Sequence, residues 1–185
     1  NRYFGVFQDG EIKVRGIESR RRDTPPWVKE VQTAMLNALA EAYTVQGLRE
    51  KVNKAFAIFQ QALEALHAGQ VPVDKLVVTS RISKKLERYA SPTPAVRAAR
   101  ILLENTGKRI EPGQKMRFVY VQGTPDVYPW EMPTPPAPSQ LNLEMYTELL
   151  ARAASSVLYP FGIEIEELKH WAHTSTMELQ LQFTR

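Results

Sequence analysis

Apolar positions along this chain change period several times, and each change marks an element. Two β-prone runs, Tyr3 to Phe7 and Ile12 to Ile17, flank Asp9-Gly10, and Asp-Gly between such runs is the strongest short hairpin signal. The period then lengthens. Thr24 stands as the cap of a helix with Pro25 at its first position, followed by Val28, Val31, Met35 and Leu39 at helical spacing toward Tyr43. A second stripe, Leu48, Val52, Phe56, Phe59, Leu63 and Leu66, predicts a longer helix stopped by Gly69. Trp27 is expected to pack, and the aromatic stripe to fill a core between two antiparallel helices. His67, in the last turn, is expected at the surface, complementing the helix dipole.

Past Gly69 the elements shorten. Val71 to Asp74 reads as a turn, Leu76 to Thr79 as a short buried strand, and Ser80 to Tyr89 as a short helical segment. Thr93 caps a further helix, Pro94 to Asn105, with Val96, Ala99 and Leu103 inward and Gly107 ending it. Ile110 to Gly113 is a turn into a strand, Lys115 to Gln122, in which Met116, Phe118 and Tyr120 alternate with Arg117, Val119 and Val121. Residues 123–140 carry six prolines and Trp130 without a period, which predicts a long crossover loop; a ligand for a proline-binding groove is the rival reading. Asn142 caps the last long helix, with Leu143, Tyr146, Leu149, Leu150, Ala153 and Val157 inward as far as Phe161-Gly162. Glu164, Glu166 and Glu167 are expected on a solvated strand face, and the strict alternation of Met177 to Phe183 predicts an edge strand. The fold class is α+β, mainly helical: an N-terminal β-hairpin, then a helical domain with a small antiparallel sheet.

A length of 185 residues suits one such domain or slightly more. The absence of cysteine excludes disulfides and thiolate chemistry, and three scattered histidines give poor material for a metal centre. No apolar run approaches the ~20 residues that cross a bilayer, so no membrane partner is expected. The default is a soluble, intracellular protein. A net charge of +4 suits a polyanionic partner, and its distribution says more: cations crowd Lys13 to Arg22, Arg81 to Arg100 and Lys108 to Arg117. Asp9, Asp23, Asp74 and Asp126 are isolated, so the paired carboxylates of a two-metal site are not written here. No phosphate-binding glycine loop and no exonuclease motif is found either.

The hairpin and the basic string after it resemble the segment joining palm to thumb in family B DNA polymerases of the archaeal type. That family opens the hairpin with Lys-Lys-x-Tyr and continues with Arg-Gly-(Leu/Ile)-Glu-x-x-Arg-Arg-Asp. The second string is matched at every fixed position, by Arg15-Gly16-Ile17-Glu18, then Arg21-Arg22-Asp23. In the first, Tyr3 stands where the family tyrosine does, Arg2 is the variable position and Asn1 replaces the second lysine. The thumb pattern continues in Leu76-Val77-Val78, Ile82 to Tyr89, Pro94-Ala95-Val96 and Gly107 to Gly113, in order and at the family's spacing. Ser83 and Lys84 replace the family's Thr-Arg, keeping hydroxyl and charge, whereas Ala95 replaces its histidine and removes a donor.

This resemblance implies residues 1–23 as the palm–thumb junction hairpin and 24–185 as a thumb domain with the proline-rich loop inside it. It implies a subunit of a DNA-directed DNA polymerase that grips the primer-template duplex by its phosphate backbone. Tyr3 is then expected along the primer minor groove, flanked by Arg2, Arg15, Arg21 and Arg22, with Arg22 alternatively pairing Asp23 or Glu18. On the thumb, Ser83, Lys84, Lys85, Tyr89, Thr93 and Arg97 are expected to face the DNA. The chain alone is expected to be inactive, because the family's Asp-Thr-Asp string is missing; Mg²⁺ comes only through a partner palm. The opening at the lysine-tyrosine motif matches the point where some archaeal members divide into two polypeptides. A large subunit bearing exonuclease and palm is the expected partner, and nucleoid-associated cytoplasm the expected place. The tail departs from the glutamine, aliphatic and paired-aromatic spacing of the family's sliding-clamp peptide, so Gln180 and Phe183 give a clamp little support. Two rivals stay open: a stand-alone nucleic-acid-binding accessory protein, and an interaction scaffold that no longer touches DNA.

Overall fold

The computed structural model describes residues 2–183, and of residues 175–183 the backbone alone. Its elements fall into two compact units. One comprises Asn1–Arg21, Trp27–Val71 and Thr147–Arg185; the other comprises Arg22–Pro26 and Pro72–Tyr146. The described residues are mainly helical, with two small antiparallel sheets.

The first unit opens with the predicted hairpin, β1 (Tyr3–Val6) against β2 (Ile12–Arg15), in the register Tyr3↔Arg15 to Val6↔Ile12. Gly10 takes φ +86°, a left-handed conformation that costs glycine nothing, and Asp9 Oδ1 accepts from the Glu11 amide at 3.0 Å. A 3-10 turn, Glu18–Arg20, leads on. Helix α1 spans Pro26–Ala40, beginning one residue later than the sequence suggests. A residue ahead of proline is disfavoured in the α region, so Pro25, which precedes Pro26, stays outside the helix. Helix α2 (Val45–His67) is capped by Thr44, whose hydroxyl accepts from the Gly47 amide, and closes at Gly69 with φ +68°. Helix α4 (Leu143–Leu158) contributes its second part to this unit, and α5 runs Ile165–Phe183. Phe56 and Phe59 of α2 pack on Trp171 of α5, with ring centroids 5.5 and 5.9 Å away, so α5 is a partner of the stripe, whose later residues Phe59, Leu63 and Leu66 are core while Leu48, Val52 and Phe56 are half-buried.

Three expectations fail in this unit. His67 is half-buried, and its Nε2 lies 3.3 Å from the Thr147 hydroxyl; burial pushes its pKa down, because the charged ring would lose water. Glu166 and Glu167 lie in the first turn of α5 rather than on a strand, and the Glu167 carboxylate accepts from the Glu164 amide at 2.9 Å. Acids there complement the helix N-terminus. Residues 177–183 continue α5, not an edge strand; alternation over a short stretch does not outweigh an ongoing helical ladder.

In the second unit, β3 (Val78–Arg81), β4 (Lys115–Tyr120) and β5 (Val127–Pro129) form one antiparallel sheet in the order β3-β4-β5. Helix α3 (Pro94–Thr106) lies against it, ending at Gly107 with φ +74°. Val78, Ile82, Leu86, Val96, Ala99, Leu102, Met116 and Phe118 make its core. The strand begins at Val78, not Leu76, because Val73–Leu76 forms a 3-10 turn; a short buried apolar run does not reveal its own type. Ser80 and Arg81 pair with Met116 and Lys115, and only Leu86–Arg88 of the expected helical segment is 3-10. The proline-rich stretch hides β5 and a 3-10 turn, Pro138–Gln140. Pro129 is tolerated there because β5 is an edge strand.

Candidate nucleic-acid interface

The second unit builds its candidate surface from a loop that no regular element supports. Between Ile82 and Tyr89 the phenol of Tyr89 substitutes for secondary structure. Its oxygen accepts from the amides of Ser83 at 3.0 Å and Lys84 at 3.1 Å, and shares a hydrogen with the Ser83 hydroxyl at 2.9 Å. These bonds, the Ser83 hydroxyl first, hold the Tyr89 pKa below the usual phenol range. From the other side, Arg100 of α3 donates one nitrogen to the carbonyls of Leu86 at 2.8 Å and Tyr89 at 3.1 Å, and Arg109 pairs with Glu87 at 2.6 Å. Ser83, Lys84 and Lys85 are left exposed on this fixed loop, and neither lysine is in an ion pair among the described residues. Thr93, at the start of α3, is exposed and its side chain makes no capping bond.

Two of the sequence candidates are engaged within the protein. Arg97 grips Asp126 with two nitrogens, at 2.9 and 2.7 Å, and gives a third bond to the Pro92 carbonyl at 3.0 Å. Tyr89 is spent on the loop. Arg100, which the sequence offers only as one cation among many, turns out to be structural. Its one visible signal was its place three residues after Arg97 on the same helix.

The first unit carries the junction residues. Tyr3 is 41% exposed, and Arg15 lies directly opposite it on β2. Arg2, Tyr3 and Arg21 line a groove of about 790 Å³ together with Arg152, Ser155, Ser156, Tyr159 and Phe161. Glu18 and Glu164 also line it, so its cations are partly offset. Glu18 is buried and takes a bond from Gln32 Nε2 at 2.9 Å, with Arg2 at 3.7 Å. Neither contact is the Arg22 pairing that the motif suggested. Gln32 is fully buried on α1 and also donates to the Ala153 carbonyl at 2.8 Å and accepts from the Ser19 amide at 2.6 Å. The sequence did hold a trace of it: one polar residue on the inward stripe between Val28 and Met35. Arg22 is exposed and belongs to the second unit.

A surface of exposed hydroxyls and of cations that make no ion pair among the described residues, on a loop held by side-chain hydrogen bonds, suits a polyanion, and the comparisons with known proteins give the chain a family. The model of DNA polymerase family B matches residues 1–159, and the chain belongs to that family. It is similar to DNA polymerase 2 of Aeropyrum pernix, 31% identical over 178 residues that make up 95% of this chain and 21% of that protein. It is also similar to DNA polymerase 1 of Sulfolobus acidocaldarius, 27% identical over 166 residues, 90% of this chain and 19% of the other. In fold it resembles the family B DNA polymerase from the hyperthermophilic archaeon Pyrobaculum calidifontis, with a TM-score of 0.64 at 22% identity over 85% of this chain and 19% of that one. The chain spans about one fifth of the length of the relatives it matches. Among the described residues, no group of three or more His, Asp or Glu side chains is placed to hold a metal ion, and no helix is long and apolar enough to cross a membrane.

Proposed function

We propose that this chain is the thumb and palm-junction hairpin of a family B DNA polymerase, holding the primer-template duplex by its phosphates. The observation that carries the reading is the pinned loop. Lys84 and Lys85 stand exposed, without an ion pair among the described residues, on a backbone already ordered by Tyr89, Arg100 and Arg109. Binding a phosphate backbone with a preformed loop avoids the cost of ordering it at that moment, and contacts to phosphate position the duplex without reading its sequence. Ser83 and Thr93 add hydroxyl donors beside the cations. On the hairpin, Tyr3 and Arg15 face the same side of the ladder as a cross-strand pair, and Arg2 and Arg21 of the same unit supply further charge, as Arg22 does in the second unit. The aspartates that hold Mg²⁺, and the exonuclease, lie in polymerase sequence outside these residues, carried by a large subunit that this chain completes.

The test uses the 185-residue chain and a fluorescent primer-template. Its affinity is expected to fall steeply as salt rises, by about 0.9 in the logarithmic slope for each phosphate neutralised. Adding the chain to a palm-bearing large subunit is expected to restore primer extension that neither gives alone. No affinity at low ionic strength, alone or with that subunit, would overturn the reading.

A further inference from the structure

On the outward face of the second unit's sheet two cations are held directly opposite each other. Arg81, the last residue of β3, is the register partner of Lys115, the first of β4. Their neighbours Ser80 and Met116 form the next pair along, and Met116 is fully buried, so Arg81 and Lys115 point away from the core. Both are exposed, and neither is in an ion pair among the described residues. Thr79 and Arg117 form the third pair, and on that side Arg117 is partly balanced by Glu131 at 3.6 Å.

Like charges directly opposite on an antiparallel ladder destabilise it. The usual relief is fraying, which lets the side chains separate. Here the ladder runs on past the pair: the Ile82 amide donates to the Gln114 carbonyl at 2.9 Å, and the Gly113 amide to the Ile82 carbonyl at 2.7 Å. Gly113 adopts φ +93°, which closes that turn tightly. The fold therefore holds two like charges in register and, among the described residues, supplies no carboxylate between them.

We propose that Arg81 and Lys115 form a phosphodiester-binding pair, a backbone contact of the DNA duplex additional to the Lys84–Lys85 loop. This rests on the thumb reading and extends it from the loop onto the sheet face that leads into it, since Arg81 precedes Ser83 by two residues. A bridging phosphate supplies the missing negative charge, so the pair weakens the free protein and strengthens the bound one.

That opposition gives the pair a signature which an ordinary surface cation lacks. Arg81→Gln and Lys115→Gln are each expected to raise the melting temperature of the free chain while weakening primer-template binding, and together to lower the salt slope by about 0.9, the share of the one bridged phosphate. Arg81→Glu, which replaces repulsion by attraction across the ladder, is expected to raise the melting temperature further and weaken binding further. Anisotropy titrations across a salt series and thermal melts of the same preparations read both effects. Unchanged affinity and slope with a raised melting temperature would overturn the pair as a DNA contact while leaving the thumb reading intact. A melting temperature that falls in all three variants would overturn the repulsion on which the pair rests. If the unaltered chain shows no affinity for primed duplex, both readings fall.

Discussion

Replacing Tyr89 by phenylalanine separates holding a loop from touching DNA. The substitution removes one oxygen, which in the native protein accepts two amide hydrogens and shares a third bond with the Ser83 hydroxyl. Each such bond is worth about 0.5–1.5 kcal/mol net, and less where water replaces it, as it does for the exposed amides of Ser83 and Lys84. The fold itself should hardly notice. The loop should, because freeing a residue's backbone releases about 1–2 kcal/mol of conformational entropy that binding must then take back. Two residues lose their anchor, while Arg100 and Arg109 still hold the far side through Leu86, Tyr89 and Glu87. The surviving anchors cut the penalty to about 1–2 kcal/mol, or about a 5- to 30-fold loss of affinity for primer-template. The salt slope should stay where it was, since no phosphate contact has gone, whereas Lys84→Gln should reduce it by about 0.9. Anisotropy titrations of the two variants over a salt series make the comparison. A fall in slope for Tyr89→Phe equal to that for Lys84→Gln would refute the argument, by showing that a cation's phosphate contact is lost together with the phenol. Unchanged affinity would refute it differently, by showing that the loop stands without its phenol.

Other side chains make equally pointed predictions. Tyr146→Phe removes a buried phenol that donates to the Leu76 carbonyl at 2.9 Å and accepts from the Tyr120 amide at 3.0 Å; leaving those groups unpaired should cost about 1–3 kcal/mol, read as a lower urea midpoint with unchanged m-value. Gln32→Leu strands the buried Glu18 carboxylate and the Ser19 amide together, so a loss of about 3 kcal/mol is expected, and a thermal melt within a degree of the native protein would show that those bonds carry no weight. His67 should make stability depend on pH near neutrality. Its folded pKa lies below the ordinary 6.5 because burial disfavours the charged ring, so below 6.5 the unfolded chain binds a proton that the folded chain resists. Stability is then full above 6.5 and falls as pH drops from there toward the folded pKa. His67→Gln should flatten that part of the melting-temperature profile, and an unchanged slope would assign it to other groups.

The parts legible in the sequence share one property: their signals are local. Asp9-Gly10 sits between its two strands, Asn142 sits within three residues of the amide it caps, and Gly107 ends the helix before it. What escaped depends on distant partners. Gln32 is explained only by Ala153, 121 residues away, and Tyr146 only by Leu76, 70 residues away. Strand β5 exists because β4 offers it an edge; its own three residues, one of them proline, say nothing of a strand. The candidate site divides along the same line. Which cations occur, and that they cluster, could be read directly, whereas which of them are already spent could not. Arg97 and Lys84 both read as DNA-facing cations in the sequence, yet Asp126 lies 29 residues from Arg97 and engages it twice, while no carboxylate among the described residues comes to meet Lys84. Charge density in sequence therefore overcounts the residues a polyanion can use. The pairing seen in the fold subtracts the struts, and Lys84, Lys85, Arg81 and Lys115 are among the exposed cations that no carboxylate among the described residues engages.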